Sequence, residues 1–472
     1  MWFRPDGHEA AMNAGTRRNL LVLAVGLGMM LNPLNTSMIS LAIARFQEQF
    51  ALTFADVSWL ISTYYLVSAI AQPVLGKIGD RYGRKRVFMG GLALVAVSSL
   101  LAPTSLTFSL LLVYRAVQAL GTSALFPSGM GIVRQEVTER QALYMSRLSV
   151  IMSVSAAVGP SIGGFLLRAG DWPAIFTINF PVILVSFALA WKFIPPDTET
   201  RSDGEGIDVR GILQFSLLIV LLLLFLLSLR SGGDWWKLAA AAALGVWFYR
   251  FESRLPKPFI DVRFLRRHPS VCLIYAQFIL VNVVSYSVMF GLPSYLQHAR
   301  HLDPQQAGLV MMAIAGSNLL AAPLAGRWID RSGPPPVIWM AAAATLLGTA
   351  LMMTIGAETA YAWMIFVLAL LGFGNGFHNL GLQMALYVWV PKTETGIASG
   401  LFMTSRFVGT IFSSTLLADF FAGKVPTAGI VRLGAVSAGI AVVLVGLVLL
   451  MSKTGVKSAH AKWKADAKGN GV

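Results

Sequence analysis

The stretch Ala71-Gln72-Pro73-Val74-Leu75-Gly76-Lys77-Ile78-Gly79-Asp80-Arg81-Tyr82-Gly83 decides the fold of this chain. A second stretch, Ala321-Ala322-Pro323-Leu324-Ala325-Gly326-Arg327-Trp328-Ile329-Asp330-Arg331-Ser332-Gly333, begins 250 positions later and fits the same frame, A-x-P-x-x-G-x-x-x-D-R-x-G. Each stretch ends a long apolar run, so the frame closes a membrane span with a tight, charged turn. The repeat therefore predicts two structurally related halves.

The composition predicts an integral membrane protein of the all-α class. Of 472 residues, 56% are hydrophobic and only 12% are charged, and the mean hydropathy is +0.67. That leaves too little polar surface to cover a soluble globule of this length. The single cysteine, Cys272, excludes a disulfide framework and a cysteine-based metal site. We expect no cofactor and no metal.

Apolar runs long enough to cross a bilayer recur along the whole chain, separated by short polar turns. We predict about fourteen transmembrane helices. They lie near 19-44, 57-76, 87-103, 108-132, 143-167, 174-193, 211-229, 235-250, 269-293, 305-325, 337-356, 361-388, 397-418 and 428-451. The first run is too long for a cleavable signal, so we expect it to remain as the first span.

Basic residues predict that both termini are cytoplasmic, because Lys and Arg of short loops stay on that side. The inner segments would then collect Lys77, Arg81, Arg84, Lys85, Arg86, Arg134, Arg250, Arg254, Lys257, Arg263, Arg266, Arg267 and the lysines of 453-472. The outer segments would hold few, such as Arg45, Arg168, Arg300 and Arg432. The net charge of +15 thus reflects topology and anionic lipid headgroups rather than nucleic acid.

The repeat also divides the chain into four parts. Residues 1-194 are expected to form an N-terminal six-helix bundle, and residues 269-452 an equivalent C-terminal bundle. Residues 195-268 form a linker that carries two additional transmembrane helices, and residues 453-472 form a basic cytoplasmic tail. We expect a monomer in the plasma membrane, the inner membrane of a bacterium.

Several motifs together resemble the major facilitator superfamily, and within it the fourteen-span drug:proton antiporter branch. The segment from Gly76 to Arg86, G-K-I-G-D-R-Y-G-R-K-R, is similar to the family's loop between spans 2 and 3. R-A-V-Q-A-L-G, starting at Arg115, resembles the family's span-4 segment, and G-P-S-I-G-G, starting at Gly159, resembles its antiporter signature. The likeness extends over nearly the whole chain.

The resemblance implies that the charged turn is a conformational latch that biases the equilibrium between inward-open and outward-open states. The residues expected to form it are Gly76, Asp80, Arg81, Gly83, Arg84, Lys85, Asp330 and Arg331. The alternative is a topology determinant that also anchors lipid. The copy around Asp330 lacks a counterpart of Arg84 and Lys85 because Pro334 and Pro335 follow Gly333.

The glycine-rich segment of the fifth span predicts a hinge or a seal at the interface between the halves. Gly159, Pro160, Gly163 and Gly164 remove bulk from one helix face and one backbone donor from the helix. The alternative is close packing of small residues, which is common between membrane helices.

Polar groups inside the bilayer are candidates for substrate binding or coupling, because an intramembrane charge persists only for a reason. The candidates are Asn35, Arg115, Gln118, His378 and Arg406. For the two arginines the alternative is structural pairing. For His378, whose ordinary pKa lies near neutrality, the alternative is a hydrogen-bonded packing histidine.

Asn35 marks a departure from the antiporter pattern, in which the first span usually carries an aspartate at this place. An amide does not titrate near pH 7, so the carboxylate-based exchange of a cationic drug for protons lacks its carrier. The remaining Asp and Glu residues fall at the edges of the predicted spans. Two buried arginines without an obvious carboxylate favour an anionic, zwitterionic or lipid-like substrate.

Two functional hypotheses follow. The first is a secondary active transporter that exports an amphipathic or anionic small molecule by rocking two six-helix halves, with protons as a candidate coupling ion. The second is a non-coupled lipid-handling or sensor protein on the same fold. An enzyme is not expected, because the chain has neither a Walker loop nor an H-E-x-x-H motif.

Overall fold

The computed structural model describes residues 14–52, 54–197, 207–229, 232–302, 304–420 and 427–454. Over these residues the protein is all-helical. Most of the predicted basic tail, from residue 455 onward, and residues 198–206 of the predicted linker lie outside the described residues.

The chain forms fifteen α-helices within its described part. The first eight are α1 Ala14–Phe50, α2 Phe54–Tyr82, α3 Arg84–Leu101, α4 Phe108–Glu136, α5 Gln141–Thr177, α6 Asn179–Phe193, α7 Val209–Ser228 and α8 Trp235–Glu252. The others are α9 Val262–Arg267, α10 Pro269–His298, α11 Pro304–Ser332, α12 Pro334–Met352, α13 Tyr361–Trp389, α14 Thr395–Phe420 and α15 Thr427–Thr454.

A helix stands at each of the fourteen predicted segments, and the short helix α9 was not predicted. Within the described residues, ten helical stretches are long and apolar enough to cross a membrane. One of them runs through both α5 and α6. Helix α5 is itself kinked at Gly170 and Asp171, where Asp171 has φ 56°. That all fourteen helices cross the membrane stays a prediction.

Large apolar side chains cover much of the outer surface. Leu100, Phe165, Trp191 and Leu320 are each at least 63% exposed. An exposed apolar surface of this extent indicates contact with lipid hydrocarbon. The fold therefore agrees with a protein embedded in a membrane.

The helices pack in two groups of six. In the first group, α1 packs on α5 and α6, and α4 packs on α2 and α3. In the second group, α13 packs on α11 and α12, and α10 packs on α14 and α15. The groups meet through α2 against α14 and through α11 against α5. These two contacts are equivalent, because the repeat relates α2 to α11 and α5 to α14. Helices α7 and α8 pack together, and α7 lies against α2 and α14.

The two copies of the repeat fold alike. Each has an internal proline, Pro73 in α2 and Pro323 in α11, and each ends in a single glycine before the next helix. Gly83 and Gly333 have φ of 113° and 76°, a left-handed region that residues with a Cβ rarely adopt. The final glycine of the frame therefore reverses the chain within one residue.

Candidate functional site

The carboxylate of Asp80 caps a helix of the other group. It lies at the end of α2 and accepts hydrogen bonds from the backbone N–H groups of Gly396 (3.0 Å) and Ile397 (2.9 Å), in the first turn of α14. These donors have no partner within their own helix, and the N-terminal end of a helix attracts negative charge. We call this contact the Asp80 cap, and the end of the molecule where it lies the Asp80 end.

Arg84, the first residue of α3, ties the Asp80 cap to α4 and to the segment just before α14. Its Nε and Nη2 donate to Oδ1 of Asp80 at 3.0 and 2.8 Å. Its Nη1 donates to the carbonyl oxygen of Gly131 in α4 at 2.9 Å, and its Nη2 also donates to the carbonyl oxygen of Lys392, just before α14. The Asp80 and Arg84 side chains are 5% and 9% exposed, so this ion pair is screened little by solvent.

Arg134 is a further contact between the groups that the sequence analysis did not single out. It lies in the last turn of α4 and is buried. Its guanidinium donates to Oγ1 of Thr395 (2.7 Å) and to the carbonyl oxygens of Val390 (2.6 Å) and Tyr387. It therefore closes the C-terminal end of α13, where carbonyl oxygens lack helical partners. From the sequence it looked like one more basic residue of an inner loop.

The second copy of the motif makes the reciprocal contact. Asp330, at the end of α11, accepts hydrogen bonds from the backbone N–H groups of Ala142 (3.0 Å) and Leu143 (3.1 Å), in the first turn of α5. We call this contact the Asp330 cap. Position 334, four residues after Asp330, is the first residue of α12 and is a proline, so the cap has no arginine equivalent to Arg84. Arg331 is exposed next to it.

Gly76 allows α2 and α14 to touch at their backbones. A Cβ at position 76 would overlap the carbonyl group of Gly396, and one at position 400 would overlap the backbone of Pro73. At the equivalent contact a Cβ on Gly326 would lie 2.9 Å from the carbonyl oxygen of Ala142, which is tight but less so. The helix pair that carries the Asp80 cap is therefore the more closely packed one.

Two of the predicted latch residues, Gly83 and Lys85, act within the first group instead. Asp197, just after α6, accepts hydrogen bonds from the backbone N–H groups of Lys85 and Arg86, both at 3.0 Å. Lys85 Nζ donates to the carbonyl oxygen of Ile194 at 2.6 Å, and a Cβ at Gly83 would overlap the Asp197 carboxylate. Arg81 lies beside the ring of Tyr82, 5.7 Å from its centroid.

The glycine-rich segment of α5 faces a different neighbour from the one expected. We expected it at the interface between the halves. A Cβ on Gly159 would overlap Oγ of Ser37, and one on Gly163 would lie 3.2 Å from Cα of Met38. Both partners are in α1, so these glycines pack within the first group; Pro160 is exposed, and Gly164 faces open space. A hinge role for the segment stays a prediction.

Asn35 lies in a buried network of neutral side chains. Its Oδ1 accepts from Nδ2 of Asn179 (2.9 Å) and from Nε2 of Gln118 (3.2 Å), and its Nδ2 donates to the carbonyl oxygen of Leu31 (2.7 Å). Ser99 Oγ accepts from both Asn179 and Gln118. Both ends of the Asn35 amide are therefore used. An aspartate could not donate to Leu31, so the network suits the amide.

Arg115 extends this network toward α2. Its Nη1 donates to Oε1 of Gln118, and its guanidinium lies over the ring of Tyr64, 4.6 Å from the centroid. Arg115 is 1% exposed, and its Nε has no hydrogen-bond partner within the described structure. Three of the predicted site residues, Asn35, Gln118 and Arg115, thus form one cluster inside the first group.

Arg406 and His378 lie apart from that cluster, in the second group. Arg406 of α14 is half-buried and donates through Nη2 (2.7 Å) and Nε (3.0 Å) to the hydroxyl of Tyr286 in α10. His378 is fully buried between α12 and α13, where its Nδ1 lies 3.4 Å from Oγ1 of Thr345. Its Nε2 has no hydrogen-bond partner within the described residues.

Comparison with known proteins identifies the family to which this chain is similar. The family model described as Major Facilitator Superfamily matches residues 25–414. The chain is 42% identical to the "Uncharacterized MFS-type transporter YwoD" of Bacillus subtilis, over 87% of this chain and 92% of that protein. It is 28% identical to the "Tetracenomycin C resistance and export protein" of Streptomyces glaucescens, over 89% of this chain and 79% of that one.

A solved structure gives the same answer for the fold. The crystal structure of the human organic anion transporter MFSD10 (TETRAN) superimposes with a TM-score of 0.67 at 17% identity, covering 91% of this chain and 99% of that one. The chain therefore belongs to the Major Facilitator Superfamily, whose members are membrane transporters and not enzymes.

Proposed function

We propose that this protein is a proton-coupled exporter that moves an amphipathic or anionic small molecule by alternating access. The observation that carries the proposal is the reciprocal pair of caps. Asp80 of the first group holds α14 of the second, and Asp330 of the second holds α5 of the first. Such contacts exist only while the groups are together at this end and break when they separate there.

The orientation of the molecule supports a closed cytoplasmic side. The Asp80 end carries Lys77, Arg81, Arg84, Lys85 and Arg86, and basic residues of short loops stay in the cytoplasm. We therefore assign the Asp80 end to the cytoplasm, both termini to the same side, and the protein to the plasma membrane. In this assignment the structure is the state that is closed toward the cytoplasm, and the boundaries 1-194 and 269-452 delimit the two moving units.

The charge at mid-membrane supports an anionic substrate. Arg115 lies two turns inside α4 and Arg406 near the middle of α14, and the carboxylates of both helices are near the helix ends. A positive charge in a low-dielectric site is stabilised by an opposite one, and a substrate can supply it. Export as the direction is proposed from the named activity of the Streptomyces glaucescens relative.

Proton coupling is proposed through His378, the histidine that lies deepest in a helix of the described structure. The neutral network around Asn35 favours the alternative, uncoupled movement of a lipid-like molecule, because an amide carries no proton. We propose that the transporter works as a monomer.

Transport by the purified protein in proteoliposomes tests these proposals. We expect an imposed pH gradient to drive accumulation of an aromatic or amphipathic anion, and His378→Ala to abolish the dependence on the gradient while downhill movement persists. Asn35→Asp is the matched variant, since it places a titratable group in the first span. If a pH gradient drives no movement across a broad panel of anions, the coupled exporter is excluded. Downhill movement that ignores the gradient would support the uncoupled alternative.

A further inference from the structure

A row of aromatic rings leads from the buried Arg115 across the boundary between the groups to α14, the helix that carries Arg406. The rings of Tyr64 and Tyr65 in α2 are 6.4 Å apart, and the ring of Tyr65 lies 5.5 Å from that of Phe407 in α14. Arg115 lies over Tyr64, and Arg406 is bound to Tyr286. The row therefore runs from one group to the other.

The exposure of these side chains indicates an aqueous cavity beside them. Tyr65, Tyr286 and Arg406 lie in the middle of their helices, yet each is partly exposed. A guanidinium is not stable against lipid hydrocarbon, so its exposed part is expected to face water between the groups. Arg115, at 1% exposure, is excluded from that space. A ligand in the cavity would thus touch Arg406 and not Arg115.

Arg406 still has donor capacity for a ligand. The Tyr286 hydroxyl accepts from its Nε and Nη2, and no hydrogen bond of its Nη1 to a described residue is found. A guanidinium presents five N–H donors in a planar fork, which matches the two oxygens of a carboxylate. No ion pair of Arg406 is found within the described residues either. Arg406 therefore keeps a positive charge that no carboxylate of the described residues neutralises.

We propose that Tyr65 and Arg406 form the recognition site of the transporter and that its substrates are flat aromatic anions. This inference rests on the exporter function proposed above and specifies its substrate class. The ring of Tyr65, with Phe407 packed behind it, contacts a planar ring system face or edge on, and the Arg406 fork binds the anionic group at its rim. Arg115 acts at a distance, as a second positive charge behind Tyr64.

Binding of three matched probes to the detergent-purified protein tests the substrate class. The probes are 2-naphthoate, its saturated analogue decahydro-2-naphthoate, and the neutral 2-naphthylmethanol. We expect 2-naphthoate to bind at least about tenfold more tightly than either of the others, since losing the ring contact or the charge each removes about 1.5 kcal/mol. Equal binding of the flat and the saturated anion would overturn the proposal.

Variants of the two cavity side chains test the residue assignment. Tyr65→Leu should weaken 2-naphthoate binding about tenfold but leave decahydro-2-naphthoate unchanged, and Tyr65→Phe should restore it, since it keeps the ring. Arg406→Gln should weaken both anions but not 2-naphthylmethanol. Phe165→Leu, on the exposed surface of α5, is the matched control and should change nothing. Unchanged 2-naphthoate binding in Tyr65→Leu would contradict the assignment.

The proteoliposome assay separates failure of this inference from failure of the proposed function. If 2-naphthoate binds as expected but is not moved by any gradient, the exporter function fails while the site stands. If a pH gradient drives another class of anion and 2-naphthoate neither binds nor competes, the function stands and the substrate class is wrong.

Discussion

The Asp80 and Asp330 caps are built from the same sequence frame but are supported differently. In both, one carboxylate accepts two consecutive backbone N–H groups of the opposite group's helix, at 2.9 to 3.1 Å. Asp80 is also paired with Arg84, whereas the residue four positions after Asp330 is Pro334. The frame thus fixes the capping geometry, and the residues that follow it set the strength.

The residues around the two caps also support the Asp80 cap more strongly than the Asp330 cap. Arg134 adds hydrogen bonds to α13 and α14 beside Asp80, and Arg140 acts on Asp330 through longer-range attraction. Phe259 and Ile260, from the linker between the groups, pack in one apolar cluster with Ile397, whose N–H binds Asp80. We infer that the Asp80 cap holds the closed state and that the Asp330 cap opens first.

The largest expected effect is that of Asp80→Asn. It leaves Arg84 without its carboxylate in a nearly buried site, and breaking such a pair costs about 3–5 kcal/mol. Asp330→Asn removes a helix cap without an ion pair and should cost about 1 kcal/mol. The measurement is the spin-label distance between Tyr82→Cys and Lys392→Cys in a Cys272→Ser background. We expect the longer label-to-label distance, which reports separated groups, to be the main population in Asp80→Asn. In Asp330→Asn the same distance should be a minor population.

Equal populations in the two variants would show that Arg84 adds nothing to the cap. Asp330→Ala serves as a control for the asparagine side chain, which can itself accept a hydrogen bond. The unsubstituted label pair sets the baseline for the closed distance.

The sequence predicts much of this comparison, but not the partners. The repeat predicts two equivalent turns, and the prolines after Gly333 predict that the second lacks basic residues. Which helices the turns cap is a tertiary feature, because Asp80 and Ile397 are far apart in the chain. Arg134 was not singled out, since a basic residue at the end of a span is also explained by topology. The short helix α9 lies in a polar linker whose apolar periodicity is too brief to detect.

For the amide network and the glycine segment too, the sequence predicts the residues but not the helices that they contact. The sequence identifies Asn35 as an unusual residue, but its three direct partners lie on α1, α4 and α6, and Ser99 of α3 bonds only to two of those partners. Gly159 and Gly163 were expected between the halves because small residues allow any helix to approach closely. Only the packing shows that this helix is α1.

The second prediction compares the glycines at the two helix contacts. Gly76→Ala inserts a Cβ into the Gly396 carbonyl, so α2 and α14 must move apart, and overpacking of this kind costs about 1–3 kcal/mol. Gly326→Ala meets the Ala142 carbonyl at 2.9 Å, together with a serine side chain that can rotate, and should cost less. The same label pair should widen more in Gly76→Ala. A larger change in Gly326→Ala would reverse the inferred order of opening.

The third prediction concerns a substitution that gives the Asp330 cap an arginine like that of the Asp80 cap. Pro334→Arg places an arginine four residues after Asp330, the spacing of Asp80 and Arg84. A partly exposed pair of this kind contributes up to about 1 kcal/mol. We expect Pro334→Arg to reduce the wide population of Asp80→Asn in the same distance measurement. Pro334→Gln is the control without the charge, and it should have no such effect.

The smallest expected effect is a pH dependence that involves the Asp80 cap alone. Glu252, which follows the apolar run 235-250 at the end of α8, is buried and accepts a hydrogen bond from the backbone N–H of Ile260 (3.3 Å). Burial, followed by the nearby carboxylate of Asp208, raises the pKa of Glu252 to about 8. The Glu252 carboxyl is therefore protonated in the folded linker below that pKa. The stability that this protonation contributes is lost as the pH rises through about 8.

Ionised Glu252 would repel Asp208 and loosen the linker that packs on Ile397. We expect the wide distance population to rise modestly between about pH 7 and pH 9, around that pKa. Glu252→Gln should remove this pH dependence, because an amide replaces the protonated carboxyl without titrating. A label pair on α5 and α11, across the Asp330 cap, should show no such change in the same range. If both caps respond alike, the linker does not brace the Asp80 cap specifically, and the asymmetry must come from Arg84 and Arg134.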